Sequence, residues 1–208
     1  MRRAILLIFF LILLFPALAG ARTTDRCWLS LGFTAGPAIF TDPEMKNEFN
    51  IPAQFEIEAK YYLWKPFSLA GAFGYLYGEG RPTKIEWKNQ WSRLDSRGIS
   101  FWRGYTFGAL LRAEIGRYWT FNPYLGGGVY GAYNSLERSG KLNSERVSDS
   151  YGEYLLQYPT LIGFDVLLNK VIAIRTEARW TFMPTHDKFT DEKRFDYWSG
   201  QVGLQLYF

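Results

Sequence analysis

QVGLQLYF, residues 201–208, ends the chain on an unbroken alternation. Val202, Leu204, Leu206 and Phe208 fall on one face of an extended segment, and Gln201, Gly203, Gln205 and Tyr207 on the other, because successive side chains of a strand point to opposite faces. A soluble domain ordinarily ends in a few mobile polar residues. A terminal Phe in mid-alternation implies instead that the last residue is part of a paired strand.

The same period of two runs back through the chain. It predicts eight strands, near residues 28–39, 53–63, 67–77, 99–116, 123–135, 153–168, 171–183 and 195–208. In the second, Phe55, Ile57, Ala59 and Tyr61 oppose Gln54, Glu56, Glu58 and Lys60. In the seventh, Ile172, Ile174, Ala178 and Trp180 oppose Arg175, Glu177 and Arg179. The fifth is so rich in glycine that its facing is ambiguous. Three connections are short (64–66, 117–122 and 169–170), and the four that alternate with them (41–50, 79–97, 137–152 and 185–194) are longer and polar. Short turns at one end and long loops at the other are expected of a transmembrane β-barrel. An apolar outer face then meets lipid, and the sheet must close on itself because lipid offers no hydrogen-bond partner to a free edge.

Composition agrees. Aromatics make up 19% of residues and there are 20 glycines, yet past the N-terminus no apolar run approaches the ~18 residues of a membrane helix. Tyr and Trp favour membrane boundaries, where one part of the ring is buried and the other hydrogen-bonds. Two belts are expected: Trp64, Phe67, Tyr118, Trp119, Tyr207 and Phe208 at the turn end, and Tyr77, Phe101, Trp102, Tyr133, Tyr151, Trp180, Phe182, Tyr197 and Trp198 at the loop end.

Residues 1–21 read as a cleaved signal peptide: Arg2 and Arg3, an apolar run over residues 4–15, then Pro16 and small residues that allow cleavage after Ala19 or Ala21. The barrel would occupy residues 22–208. Loss of Arg2 and Arg3 takes the net charge from +4 to +2, and no basic, aromatic-interleaved helical face points to nucleic acid. Cys27 is the sole cysteine, so no intramolecular disulfide or cysteine metal set is expected.

The chain resembles the small eight-stranded bacterial outer-membrane β-barrels, the OmpA transmembrane domain, OmpX and OmpW among them. Gln201, Gly203, Leu206 and Phe208 fit the C-terminal signal read by the outer-membrane assembly machinery, and NPYLGGGVYG, residues 122–131, looks like a stretch opening the fifth strand in several such barrels. The alternating loop lengths extend the likeness over the whole mature chain. The resemblance implies residence in the outer membrane as a monomer, with both termini periplasmic, the long loops extracellular, and outer-membrane lipid and lipopolysaccharide as its surroundings.

On the inward face lie Glu56, Glu58, Lys60, Arg112, Glu114, Asp165, Arg175, Glu177 and Arg179. An eight-stranded barrel is only wide enough for its own side chains. Near-balanced charges there are expected to pair, since removing one partner of a buried pair is costly. The expected role is structural or interactive, in envelope integrity, surface contact or adhesion, with no catalytic residues, metal or cofactor. A narrow channel or carrier is the alternative, and a lipid A-modifying enzyme the third. The deacylase type of the last pairs a His with a Ser two residues on, whereas His186 is followed at that distance by Lys188. The basic, Trp-bearing loop over residues 79–97 is a further candidate contact surface.

Overall fold

A computed structural model describes residues 28–64, 66–81, 83–89, 92–115, 120–142, 145–184 and 196–208. The expectations placed on residues 1–27, on Tyr118 and Trp119, and on His186 lie outside them. The strands are β1 (Leu29–Phe40), β2 (Ala53–Trp64), β3 (Phe67–Glu79), β4 (Thr83–Asn89), β5 (Ser92–Glu114), β6 (Phe121–Leu142), β7 (Glu145–Leu167), β8 (Ile172–Phe182) and β9 (Tyr197–Tyr207), with one short helix, α1 (Pro43–Glu48).

Eight strands form a closed antiparallel barrel. Each pairs with its neighbour in sequence, except that β3 pairs with β5, and β9 returns to β1. The closing seam runs from Ser30↔Tyr207 to Phe40↔Tyr197, with Phe208 donating its N–H to the Leu29 carbonyl at 2.9 Å. The terminal aromatic is therefore held in the wall. Closure satisfies the backbone and removes the edges that an open sheet would expose.

Alternation decides what faces where. Ile57, Phe107 and Ile162 point outward and are 58%, 72% and 65% exposed. The apolar wall is continuous around the barrel and far larger than the few hundred Å² that a water-soluble monomer tolerates. The inward face is polar, the inverse of a soluble core. The ambiguous fifth strand resolves the same way: Tyr124, Tyr130, Ala132 and Asn134 of β6 are buried inside, while Leu125 and Val129 face out.

Three polar connections are more ordered than expected. The stretch 79–97 holds a ninth strand, β4, which pairs with β5 from Thr83↔Gly98 to Asn89↔Ser92 as a hairpin outside the ring. Between β6 and β7 the pairing continues to Leu142↔Glu145. Hydrophilic strands that rise clear of a membrane lack the apolar alternation that marked the others. The connection after β1 contains α1, whose first turn is capped by Asp42 Oδ1 accepting from the Met45 N–H at 2.8 Å. At the opposite end, Asn169 Oδ1 accepts from the N–H groups of Val171 and Ile172, both at 2.8 Å, and fixes the tight β7–β8 turn.

The expected aromatic belts need correction at four positions. Trp102, Tyr197 and Tyr207 are 1%, 2% and 6% exposed and point into the barrel, and Tyr151, paired with the buried Leu136, packs against the aromatic cluster at the loop end of the lumen. Trp102 shares the parity of Arg112 on β5, and Tyr197 and Tyr207 that of Gln201 on β9, so period two places them inside whatever their height in the wall. Phe40, Phe49, Trp102 and Tyr197 instead close the loop end of the lumen. Their rings lie 5.3–6.2 Å apart in a continuous set of contacts, with Met45 of α1 and Met183 packed among them.

Candidate functional site: the charged lumen

Below that aromatic cap lie the nine lumen charges. Three strands supply most of them at alternate positions: Glu56, Glu58 and Lys60 from β2, Arg112 and Glu114 from β5, and Arg175, Glu177 and Arg179 from β8. Asp165 comes from β7. All nine are at most 3% exposed.

They form one alternating chain of acid and base across the interior. Arg179 Nη2 donates to Glu56 Oε1 at 2.7 Å and to Glu177 Oε1 at 2.6 Å. Arg112 Nη2 reaches Glu177 Oε2 at 3.1 Å, and Arg112 Nη1 donates to Glu58 Oε1 at 2.6 Å. Arg175 Nη1 donates to the same Glu58 oxygen at 2.8 Å, while its Nε donates to Asp165 Oδ1 at 2.9 Å. Lys60 Nζ lies 3.8 Å from Asp165 Oδ2 and 2.7 Å from Glu114 Oε1. Every base touches two acids, and the chain begins and ends on a carboxylate. The arginines suit this role because a planar guanidinium presents several donors in fixed directions and bridges two carboxylates.

Neutral groups complete the network. Tyr130 and Tyr124 donate to Glu56 and Glu177, both at 3.1 Å, and Tyr207 donates to Asp165 at 2.7 Å. Ser68 and Asn122 donate to the two Glu114 oxygens at 2.8 and 3.0 Å. Ring faces cover the cations as well: Arg112 and Arg175 lie 5.0 and 5.4 Å from the Tyr124 centroid, and Lys60 lies 4.8 Å from that of Tyr62. Removing these charges from water costs several kcal/mol each unless good geometry and added hydrogen bonds offset it.

Sequence reading identified the charges and missed the tyrosines. Tyr124 and Tyr130 stand in the glycine-rich β6, where facing was ambiguous, and the glycines explain their room. A Cβ at Gly163 would stand 2.6 Å from the Tyr124 hydroxyl, and one at Gly126 would stand 2.8 Å from Arg112 Cγ. Inner-face glycines thus accompany large inner-face side chains, a signal the sequence carried unread. The four C-terminal residues of the expected assembly signal all lie on β9 or directly after it. Gln201 is buried and accepts from the Thr34 hydroxyl at 2.6 Å. A Cβ at Gly203 would collide with the Phe33 carbonyl across the seam.

No group of three or more metal-ligating side chains occurs among the described residues. The lumen carboxylates are all engaged by cations or donors.

No family model and no curated protein matches the chain in sequence. Solved structures do match in shape. Neisserial surface protein A is similar over 86% of this chain and 97% of its own, at 13% identity and a TM-score of 0.57. Ail, the attachment invasion locus protein of Yersinia pestis, in complex with the heparin analogue sucrose octasulfate, matches over 87% and 97%, at 12% identity and 0.50. The outer membrane protease OmpT from Escherichia coli matches over 87% and 79%, at 13% identity and 0.50.

Proposed function

We propose that this chain, which has the fold of the small outer-membrane β-barrels, resides in a bacterial outer membrane as a closed barrel, that its interior serves as a rigid plug, and that its role is structural or adhesive. The observation that carries this reading is the unbroken chain of nine buried charges beneath an aromatic cap. A conducting pore keeps water and partly free charges along its axis. Here every lumen charge is bound by at least one partner of opposite sign. In this reading an N-terminal signal peptide directs export, Gln201, Gly203, Leu206 and Phe208 engage the assembly machinery, both termini are periplasmic, and the long side faces outward into lipopolysaccharide.

A surface role is favoured by the height of one wall. β5, β6 and β7 have 23, 22 and 23 residues, against 11 to 13 for the other five barrel strands. A bilayer needs only ~9–11 residues per tilted strand, so about half of each long strand stands clear of it. Segments that project from a rigid scaffold are where binding functions concentrate.

The test is a deletion strain. We expect it to gain sensitivity to detergent with EDTA, or to lose attachment to anionic polysaccharide, and plasmid-borne wild type to restore what is lost. Unchanged envelope resistance together with unchanged attachment would contradict the reading.

A further inference from the structure

β7 is paired on one side for its whole length and on the other for only part of it. Its ladder with β6 continues without a break from Tyr130↔Gln157 to Leu142↔Glu145 at the tip. Its ladder with β8 spans only Tyr158↔Phe182 to Leu167↔Ala173. Met183 and Pro184 follow Phe182, and a proline has no N–H with which to carry a ladder on. Tyr158 to Leu167 alone is long enough to cross a bilayer, which takes ~9–11 residues per tilted strand. Residues 145–157 are thus an edge strand above it, and no described residue pairs with their open side. Hydrogen-bonded pairs alternate along an antiparallel ladder. The Leu168 N–H donates to the Ile172 carbonyl at 2.9 Å, and the Leu167 N–H donates on the opposite side to the Thr120 carbonyl at 2.8 Å. Even-numbered residues of β7 therefore direct their backbone groups toward the β8 side. Above the end of β8, Tyr154, Gly152, Ser150 and Ser148 turn their N–H and C=O groups to the open side, and all four are exposed.

We infer that this edge is a strand-addition site, where an extended segment of a partner polypeptide pairs with β7 above β8 and sets a basic side chain against Glu153. The inference rests on the membrane-barrel reading, which places this edge clear of the bilayer, and it gives the surface role a partner of defined chemistry. An unpaired edge is a template for another chain. Main-chain hydrogen bonds then supply affinity, and contacts to alternate side chains supply selectivity. Proteins that avoid such pairing blunt the edge with proline, lysine or a bulge. Residues 145–157 contain no proline and no lysine, and their register with β6 is unbroken. Glu153 sets the charge of the occupant. It shares the inward parity of the buried Leu155 and Gln157, and its Oε2 is buried with no hydrogen-bond partner. Leaving a carboxylate oxygen in that state is costly. A Lys or Arg on the added strand supplies the missing donor and the opposite charge.

Ser150 gives a clean test, because its N–H faces the open side. Ser150→Pro removes that donor and leaves the β6 ladder intact, since proline is tolerated on an edge with its nitrogen outward, and Ser150→Ala keeps the donor. Full-length protein is refolded in detergent, and heat-shifted gel migration confirms closed barrels. It is then titrated with a fluorescent cyclic β-hairpin peptide whose free strand alternates Thr and Val around a central Lys, and anisotropy reports binding. Two twin peptides carry Glu in place of Lys, or N-methyl groups along the free edge. Wild type and Ser150→Ala are expected to bind the Lys peptide equally, and Ser150→Pro roughly tenfold more weakly, through the loss of one or two hydrogen bonds. The N-methylated peptide should not bind. The Glu peptide should bind wild type several-fold more weakly than the Lys peptide, and Glu153→Gln should abolish that preference. Undiminished binding by Ser150→Pro, binding of the N-methylated peptide, or no preference for Lys in wild type overturns the inference. So does a wild type that binds no peptide, whether a second copy or another part of the chain holds the edge. In each case an intact heat shift leaves the barrel reading standing, and absence of the heat shift in wild type overturns both.

Discussion

At the residue scale, the lumen arginines carry the largest consequences. Arg112 is 1% exposed and joins Glu58 to Glu177. Truncating it leaves Glu58 with Arg175 and Glu177 with Arg179 as their remaining cations and adds an uncompensated negative charge to the buried lumen, and breaking a buried pair in this way costs about 3–5 kcal/mol. Arg103 offers the contrast. It bonds Glu137 at 3.0 Å, but both side chains are about two-fifths exposed, and pairs of that kind contribute roughly 0–1 kcal/mol. Urea unfolding in detergent micelles, followed by tryptophan fluorescence, should therefore show a large loss for Arg112→Ala and almost none for Arg103→Ala. Equal midpoints for the two variants would mean that the lumen chain does not stabilise the barrel.

These residues show what alternation reveals and what it conceals. Glu56, Glu58 and Lys60 are legible because each is flanked by apolar residues two apart, so the parity of β2 is unmistakable. Tyr130 is not legible, because Gly127, Gly128 and Gly131 around it have no side chain to declare a face. Trp102 and Tyr197 mislead for another reason. An aromatic at the height of the membrane boundary reads as a belt residue, and only its parity shows that it caps the lumen.

At the element scale, the seam between β1 and β9 closes the barrel and depends on small residues. A Cβ at Gly203 would overlap the Phe33 carbonyl, and one at Gly36 would overlap the Gly200 carbonyl. The C-terminal glycine that fits an assembly signal thus has a steric reason to be glycine as well. Refolding into detergent without assembly machinery separates the two. Gly203→Val is expected to lower the yield of heat-shifted barrel several-fold in that assay, while Gly71→Val, with open space around it, leaves the yield unchanged. A normal yield for Gly203→Val would assign the glycine to signal recognition alone. The elements that sequence missed, β4 and α1, span seven and six residues and are not part of the eight-strand ring, too short for a period to declare itself.

At the scale of the whole molecule, three layers divide the interior from loop end to turn end. The aromatic cap of Phe40, Phe49, Trp102 and Tyr197 comes first, the charge chain from Glu56 to Glu114 follows, and Tyr62 stacked on Tyr207 with centroids 6.4 Å apart lies at the turn end. Closure at every level is the central claim, and ion flow tests it most directly. Wild-type protein refolded from denaturant, shown by its heat shift to be a closed barrel, is inserted into a planar bilayer. The account predicts no discrete current steps above the protein-free background. Reproducible steps that change in size with Arg175→Ala or Arg179→Ala would contradict it and make the lumen a channel.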